Sequence, residues 1–171
     1  TFRSSIIRYA IFTTGISRCH MVIEVTTASI WELLKTIPDP EIPAVSIVDL
    51  GIVRNVEFDD DQFNITITPT YSGCPAFSFM KEEIIRHLEM EGITNYQINT
   101  SLAPPWTTDW MSDEVKSKLK EAGIAPPSHE VICPQCDSQD VKVISEFGST
   151  ACKALYKCSD CNEPFHYFKA F

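Results

Sequence analysis

Positive charge is what this chain is shortest of. Fourteen Lys and Arg stand against 23 Asp and Glu, a formal charge of −9 over 171 residues. The deficit is uneven: residues 21–130 carry seven basic and 18 acidic side chains, residues 133–171 four and five, and residues 1–20 only Arg3, Arg8 and Arg18. An acidic body repels phosphate backbones, which argues against nucleic-acid binding and favours a basic partner surface. Glycine is scarce as well, six in all, with no run of the kind that cradles phosphate. No apolar stretch approaches the roughly 20 residues of a membrane span, so no membrane role is expected. Ser-His-Asp sets, glycosidase-like carboxylate pairs and Glu-x-x-His pairs on expected helices are also missing. That removes the common hydrolase chemistries and direct di-iron oxygenation, and no catalytic residue is assigned.

What the chain does have is cysteine in a pattern. The seven are Cys19, Cys74, Cys133, Cys136, Cys152, Cys158 and Cys161. An odd total with paired spacing points to metal rather than a disulfide framework, hence to a reducing, cytoplasmic setting. Cys133-Pro-Gln-Cys136 and Cys158-Ser-Asp-Cys161 read as the two knuckles of a zinc ribbon, four thiolates closing one tetrahedral structural site. A disulfide pair and a small iron–sulfur centre are the lesser alternatives. So short a tail cannot bury enough core by itself, so the metal supplies its folding energy. Cys152 lies between the knuckles. It reads as a buried small residue, a spare thiol or an alternative ligand, and His166 as a weaker ligand.

The expected organisation is a leader over 1–25, non-native or disordered, then an α+β domain over 26–125, a linker over 126–132 and the ribbon over 133–171. Ser29 to Glu32 fits a capping box, and Ile30, Leu33, Leu34 and Ile37 form a helical stripe that Pro38 stops. Three prolines in residues 37–43 then hold Asp39 and Glu41 on a stiff loop, either as solvated charge or as part of a site. Asp49-Leu-Gly51 reads as a tight turn into a strand from Ile52 to Phe58. A polar hairpin loop leads to a second strand, Gln62–Thr68, and a third follows at Asn95–Leu102. Helices are expected after Cys74 and after Ser112. The order predicts a small mixed sheet with helices packed on one face. His87 reads as a surface histidine.

Cys74 stands where the second strand gives way to a helix, with Pro75 expected at the first helical position and Cys74 at the N-cap. A thiol there meets the positive end of the macrodipole, which favours thiolate, the form that binds soft metals and attacks electrophiles. A buried structural cysteine is the alternative.

Several longer motifs carry a resemblance. Asp39-Pro-Glu41-Ile-Pro43, Asp49-Leu-Gly51-Ile-Val53 and Thr70-Tyr-Ser-Gly-Cys74-Pro75 are similar to the signature of the small α+β family of SufT-like iron–sulfur assembly factors. Pro105–Met111, residues 147–158 and residues 163–169 narrow this: from about residue 27 to 171 the chain resembles the D-component family of the phenylacetyl-CoA oxygenase (epoxidase) system. The resemblance implies an accessory protein of aerobic phenylacetate degradation that builds or maintains an iron or iron–sulfur centre. It implies oxygenase and reductase partners, the iron–sulfur flavin reductase first, with a homodimer possible. It makes Cys74 the contact for a transient iron–sulfur cluster or iron, supported by Glu41, Asp49 and Thr70. Members of that family often carry a further cysteine where this chain has Ala170, which leaves the role of Cys152 open. Two other readings stand beside it. One is a thiol redox enzyme using Cys74, for which Cys152 would have to swing in. The other is a ribbon that serves only for docking.

Overall fold

The computed structural model describes residues 7–10, 22–71 and 73–171. Its elements in chain order are β1 (Ile7–Ala10), β2 (Val22–Val25), α1 (Thr27–Lys35), β3 (Val53–Asp59), β4 (Gln62–Ile67), α2 (Ala76–Met90), β5 (Tyr96–Thr100), α3 (Asp113–Glu121), β6 (Ile124–Ala125), β7 (Val141–Ser145), β8 (Lys153–Cys158) and β9 (Pro164–Phe168). Within the stretch read as a leader, β1 and β2 pair antiparallel and Val25 joins the main core. Residues 1–6 and 11–21 of that stretch, with Cys19 and His20, lie outside the described ones.

The first sheet runs β3-β4-β5, with β3 and β4 antiparallel and β4 and β5 parallel. The β3–β4 hairpin turns through Asp60 and Asp61, both at positive φ (48° and 63°), the type I′ geometry that matches strand twist and that Asp tolerates. Along β4 the pleat sends Phe63, Ile65 and Ile67 into the core while Asn64 and Thr66 stay half-exposed. Helix α1 adds Ile30 and Leu34, α2 adds Met80, Ile84 and Leu88, and α3 adds Val115 and Leu119, all in one cluster. The start of α1 differs from the sequence expectation. Thr26 is the N-cap and shares a reciprocal capping box with Ser29, so the box sits three residues earlier than the Ser29–Glu32 reading. Ser112 caps α3 as expected, its Oγ accepting from Val115 N–H.

The second sheet runs β6-β9-β8-β7. Its two-residue strand β6 precedes the expected linker and pairs parallel with β9 through His166 and Tyr167. The tail is thus anchored to the body by a strand taken from before it. Phe168 at the end of β9 is 1% exposed and belongs to the main core, not to the small cluster of the tail. Trp106 lies 6.1 Å from it, ring to ring, and donates its indole N–H to Leu50 O (2.8 Å). No described helix is long and apolar enough to cross a membrane.

Candidate functional site

Two sites emerge. The first is the cysteine set of the tail. Cys133 and Cys136 lie on the turn before β7, and Cys158 ends β8 with Cys161 on the turn into β9. Their four Sγ atoms lie within 4.8 Å of one another, with 3.7 Å between Cys133 and Cys161 and 3.6 Å between Cys136 and Cys158. Four thiolates at about 2.3 Å around one tetrahedral zinc stand about 3.8 Å apart, so the set fits that ion. Amide N–H groups help: the Cys158 thiol is lowered to about 7, first by the N–H of Cys161 and also by that of Asp160. This is a structural zinc site. Cys152 is not part of it, and neither is His166; the tight knuckle turns gather only the four paired cysteines.

Cys152 instead belongs to the second site, a small cavity where the body meets the tail. Cys74, Thr70, Tyr71, Asp39 and Glu41 line it from the body, and Thr150 and Cys152 from the tail. Cys74 sits one residue before the position expected, because Pro75 is itself the N-cap of α2 and makes no side-chain cap. A shift of one residue is ordinary at a helix end. The Cys74 N–H donates to Tyr71 O (3.1 Å) and its carbonyl accepts from Phe77 N–H (3.2 Å), which leaves the thiol half-exposed at the cavity. On the tail's side of the cavity the Cys152 thiol contacts Thr150 Oγ1 at 3.0 Å, and its carbonyl accepts from Lys169 N–H. Burial pushes the Cys152 thiol up, against Thr150 and Lys153, with Asp39 and Cys74 adding to the rise. Tyr71 feels the same groups: its phenol is raised first by burial, then by Cys74, Cys152 and Glu41.

Of the residues expected to support Cys74, the structure places Glu41 and Thr70 at the cavity. Asp49 is elsewhere. Its carboxylate accepts from Ser46 N–H (3.1 Å) and pairs with Lys118 (3.3 Å), while Ser46 Oγ accepts from Asp49 N–H. Asp49 thus closes the turn that carries Leu50 to the cavity wall and offers no ligand there.

Asp39 is more than the solvated loop charge that its sequence context allows. It is 5% exposed, and its Oδ1 accepts from Glu41 N–H (2.9 Å) and Ile42 N–H (2.8 Å). Lys153, 3% exposed, stands nearby and donates to Glu41 O (3.3 Å). The sequence signals for Asp39 are its place between Pro38 and Pro40 and its membership of the Asp39–Pro43 motif. Burial pushes its carboxyl above the ordinary 3.8, against the two N–H bonds and Lys153. The folded chain therefore holds that proton more tightly than the unfolded one. Its contribution is most favourable below 3.8 and is lost as pH rises through the higher folded value. Asp39→Asn, which keeps the Oδ1 acceptor, should raise the thermal midpoint at neutral pH. The gain should shrink as pH falls toward 3.8; a gain independent of pH would contradict the burial cost.

Two known families match separate parts of the chain. Residues 27–99 match the family described as iron-sulfur cluster assembly protein, and residues 120–169 match the PaaD zinc beta ribbon domain. The chain is 50% identical over 149 residues to the Escherichia coli protein named as the putative D component of 1,2-phenylacetyl-CoA epoxidase, covering 82% of this chain and 90% of that one. It is 36% identical over 96 residues to a Porphyromonas gingivalis Fe-S protein maturation auxiliary factor, covering 55% of this chain and 90% of the relative. Among solved structures, a Bacillus anthracis domain of unknown function (DUF59) superposes with a TM-score of 0.50 at 29% identity, covering 54% of this chain and 90% of that one.

Proposed function

The chain belongs to the same family as that E. coli epoxidase component, and on that premise we propose that it is a non-catalytic accessory protein of a phenylacetyl-CoA epoxidase system. In this reading Cys74 takes up iron, alone or with sulfide, for delivery to a metal centre of that system. The zinc ribbon serves as the docking module toward the other components, an iron–sulfur reductase first among them. A half-exposed thiol at a cavity on an iron–sulfur assembly domain is the observation that carries this reading. Iron and sulfide there are cargo, while the zinc of the tail is resident.

Anaerobic reconstitution with ferrous iron and sulfide tests it. The wild-type chain should take up iron at sub-stoichiometric or dimer-bridging levels. Cys74→Ala should lose that uptake at least tenfold, while zinc stays near one per chain. Unchanged iron loading in Cys74→Ala would sink the reading. One observation favours a second reading: the cavity brings Cys152 to Cys74, which supplies the partner thiol that a redox role requires. Metal handling is preferred because residues 27–99 match the iron-sulfur cluster assembly family.

A further inference from the structure

Cys74 and Cys152 are 78 residues apart in sequence, yet they line the same cavity from different parts of the chain. We propose that these two thiols, with the Asp39 carboxylate as third donor, form one mononuclear site for a soft divalent cation, ferrous iron as cargo. The proposal rests on the reading of Cys74 as an iron contact and adds to it the ligand set, the nuclearity and the place of the site within a single chain.

Three observations carry it. The first is size. The cavity measures about 30 Å³, and a water-sized particle needs about 10–15 Å³, so there is room for one ion and little more.

The second is donor chemistry. Both hydrogen bonds to the Asp39 carboxylate land on Oδ1, and among the described residues no donor reaches Oδ2. That second oxygen is therefore open to a ligand in a cavity that also holds two thiols. Thiolates select soft or borderline ions, and the apolar neighbours Leu50, Met80 and Phe168 limit water access.

The third is charge. Lysine is rarely buried without a partner, and Lys153 is buried beside the cavity. Counting Asp39, Glu41 and two thiolates against the Lys153 ammonium leaves a net of −3, an excess of negative charge that favours a divalent cation. Binding is then M²⁺ + 2 RSH → M(SR)₂ + 2 H⁺, with both thiol protons passing to solvent and no electrons exchanged.

The four ribbon thiols are the one donor set among the described residues drawn to within 4.8 Å of one another. The Cys74, Cys152 and Asp39 donors are more widely spread, and an ion must draw the two walls inward. A closed set holds its ion permanently, whereas a set that must close on the ion exchanges it, which suits cargo.

Cobalt(II) is the probe, added anaerobically and without sulfide to the full chain carrying zinc in its ribbon. One Co²⁺ per chain beyond the zinc is expected, with thiolate-to-cobalt absorption in the near ultraviolet and acid release. Cys152→Ser should weaken Co²⁺ binding about 100-fold, and Cys74→Ser as much, with zinc content and the circular dichroism spectrum preserved as evidence of folding. If Cys152→Ser bound Co²⁺ as tightly as wild type, the two-thiol site would be wrong while the Cys74 reading stood. If no Co²⁺ bound but iron with sulfide still loaded through Cys74, the nuclearity would be wrong and the reading would again stand. Absence of both would overturn both.

Discussion

Replacing Cys158 by serine is expected to strip the tail of zinc and, with it, of its fold. Cys158 is fully buried, and the cluster around it consists of Ala125, Cys133, Ala154, Phe165 and Tyr167. Only two of those side chains are large, so burial alone contributes little, while zinc in such sites supplies an apparent 10–16 kcal/mol or so, roughly the whole stability of a small domain. Serine cannot replace the thiolate, and the knuckle N–H groups that lower the Cys158 thiol would face a hydroxyl instead. The zinc content should fall from about one per chain to below about one tenth, and the near-ultraviolet signal of Tyr156 and Tyr167 should collapse. Strong chelation of the wild-type protein should give the same result. The effect should also travel: β8 carries Lys153 next to Cys152, and β9 carries Phe168 into the main core. Iron uptake at Cys74 should therefore drop together with zinc. A Cys158→Ser chain that retained a folded tail without zinc would show that packing, not metal, holds the ribbon.

The zinc cysteines were legible because local spacing alone builds their geometry: each Cys-x-x-Cys is one turn, and the 21 residues between them make the two strands that bring the turns together. The mixed sheet was legible for a similar reason. Alternation through Phe63, Ile65 and Ile67 and the stripe through Met80, Ile84 and Leu88 are local patterns with one outcome. Cys74 was legible to within one residue. The partnership of Cys74 with Cys152 was not, since it depends on how β9 lands on the main core. Nothing in residues 148–156 announces that landing; it is fixed by Phe168 and by the two-residue strand β6, which is too short to show a period. The partners of Asp49 were not legible either: Ser46 at three residues' distance and Lys118 on α3 take up its carboxylate, and Lys118 comes from a distant helix. Asp39 is a further case, a charge in a proline-rich loop that chain order leaves free to face solvent and the fold buries.

Phe168→Ala is expected to be the most costly single change outside the zinc site, at about 3–5 kcal/mol. The ring is 1% exposed, packs against Trp106, lines the cavity and sits opposite Lys153 in the β8–β9 ladder. Its removal leaves a void where body and tail meet, and no neighbour can easily collapse into it: Trp106 is held by its bond to Leu50 O, and Lys153 by its bond to Glu41 O. Because the zinc knuckles lie at the far end of β8, the zinc content should remain near one per chain even as the denaturant midpoint falls. Cys152 should at the same time become faster to alkylate, since its wall of the cavity is no longer held against the body. Phe168→Leu, which refills most of the space, should recover more than half of the stability and the slow alkylation together. A stability loss below about 1 kcal/mol, well short of the usual cost of emptying an aromatic site, or a Cys152 rate unchanged from wild type, would mean that the two parts of the chain are joined elsewhere. The cavity with two cysteines would then have to be held by β6 alone, whose two residues bury only Ala125 completely.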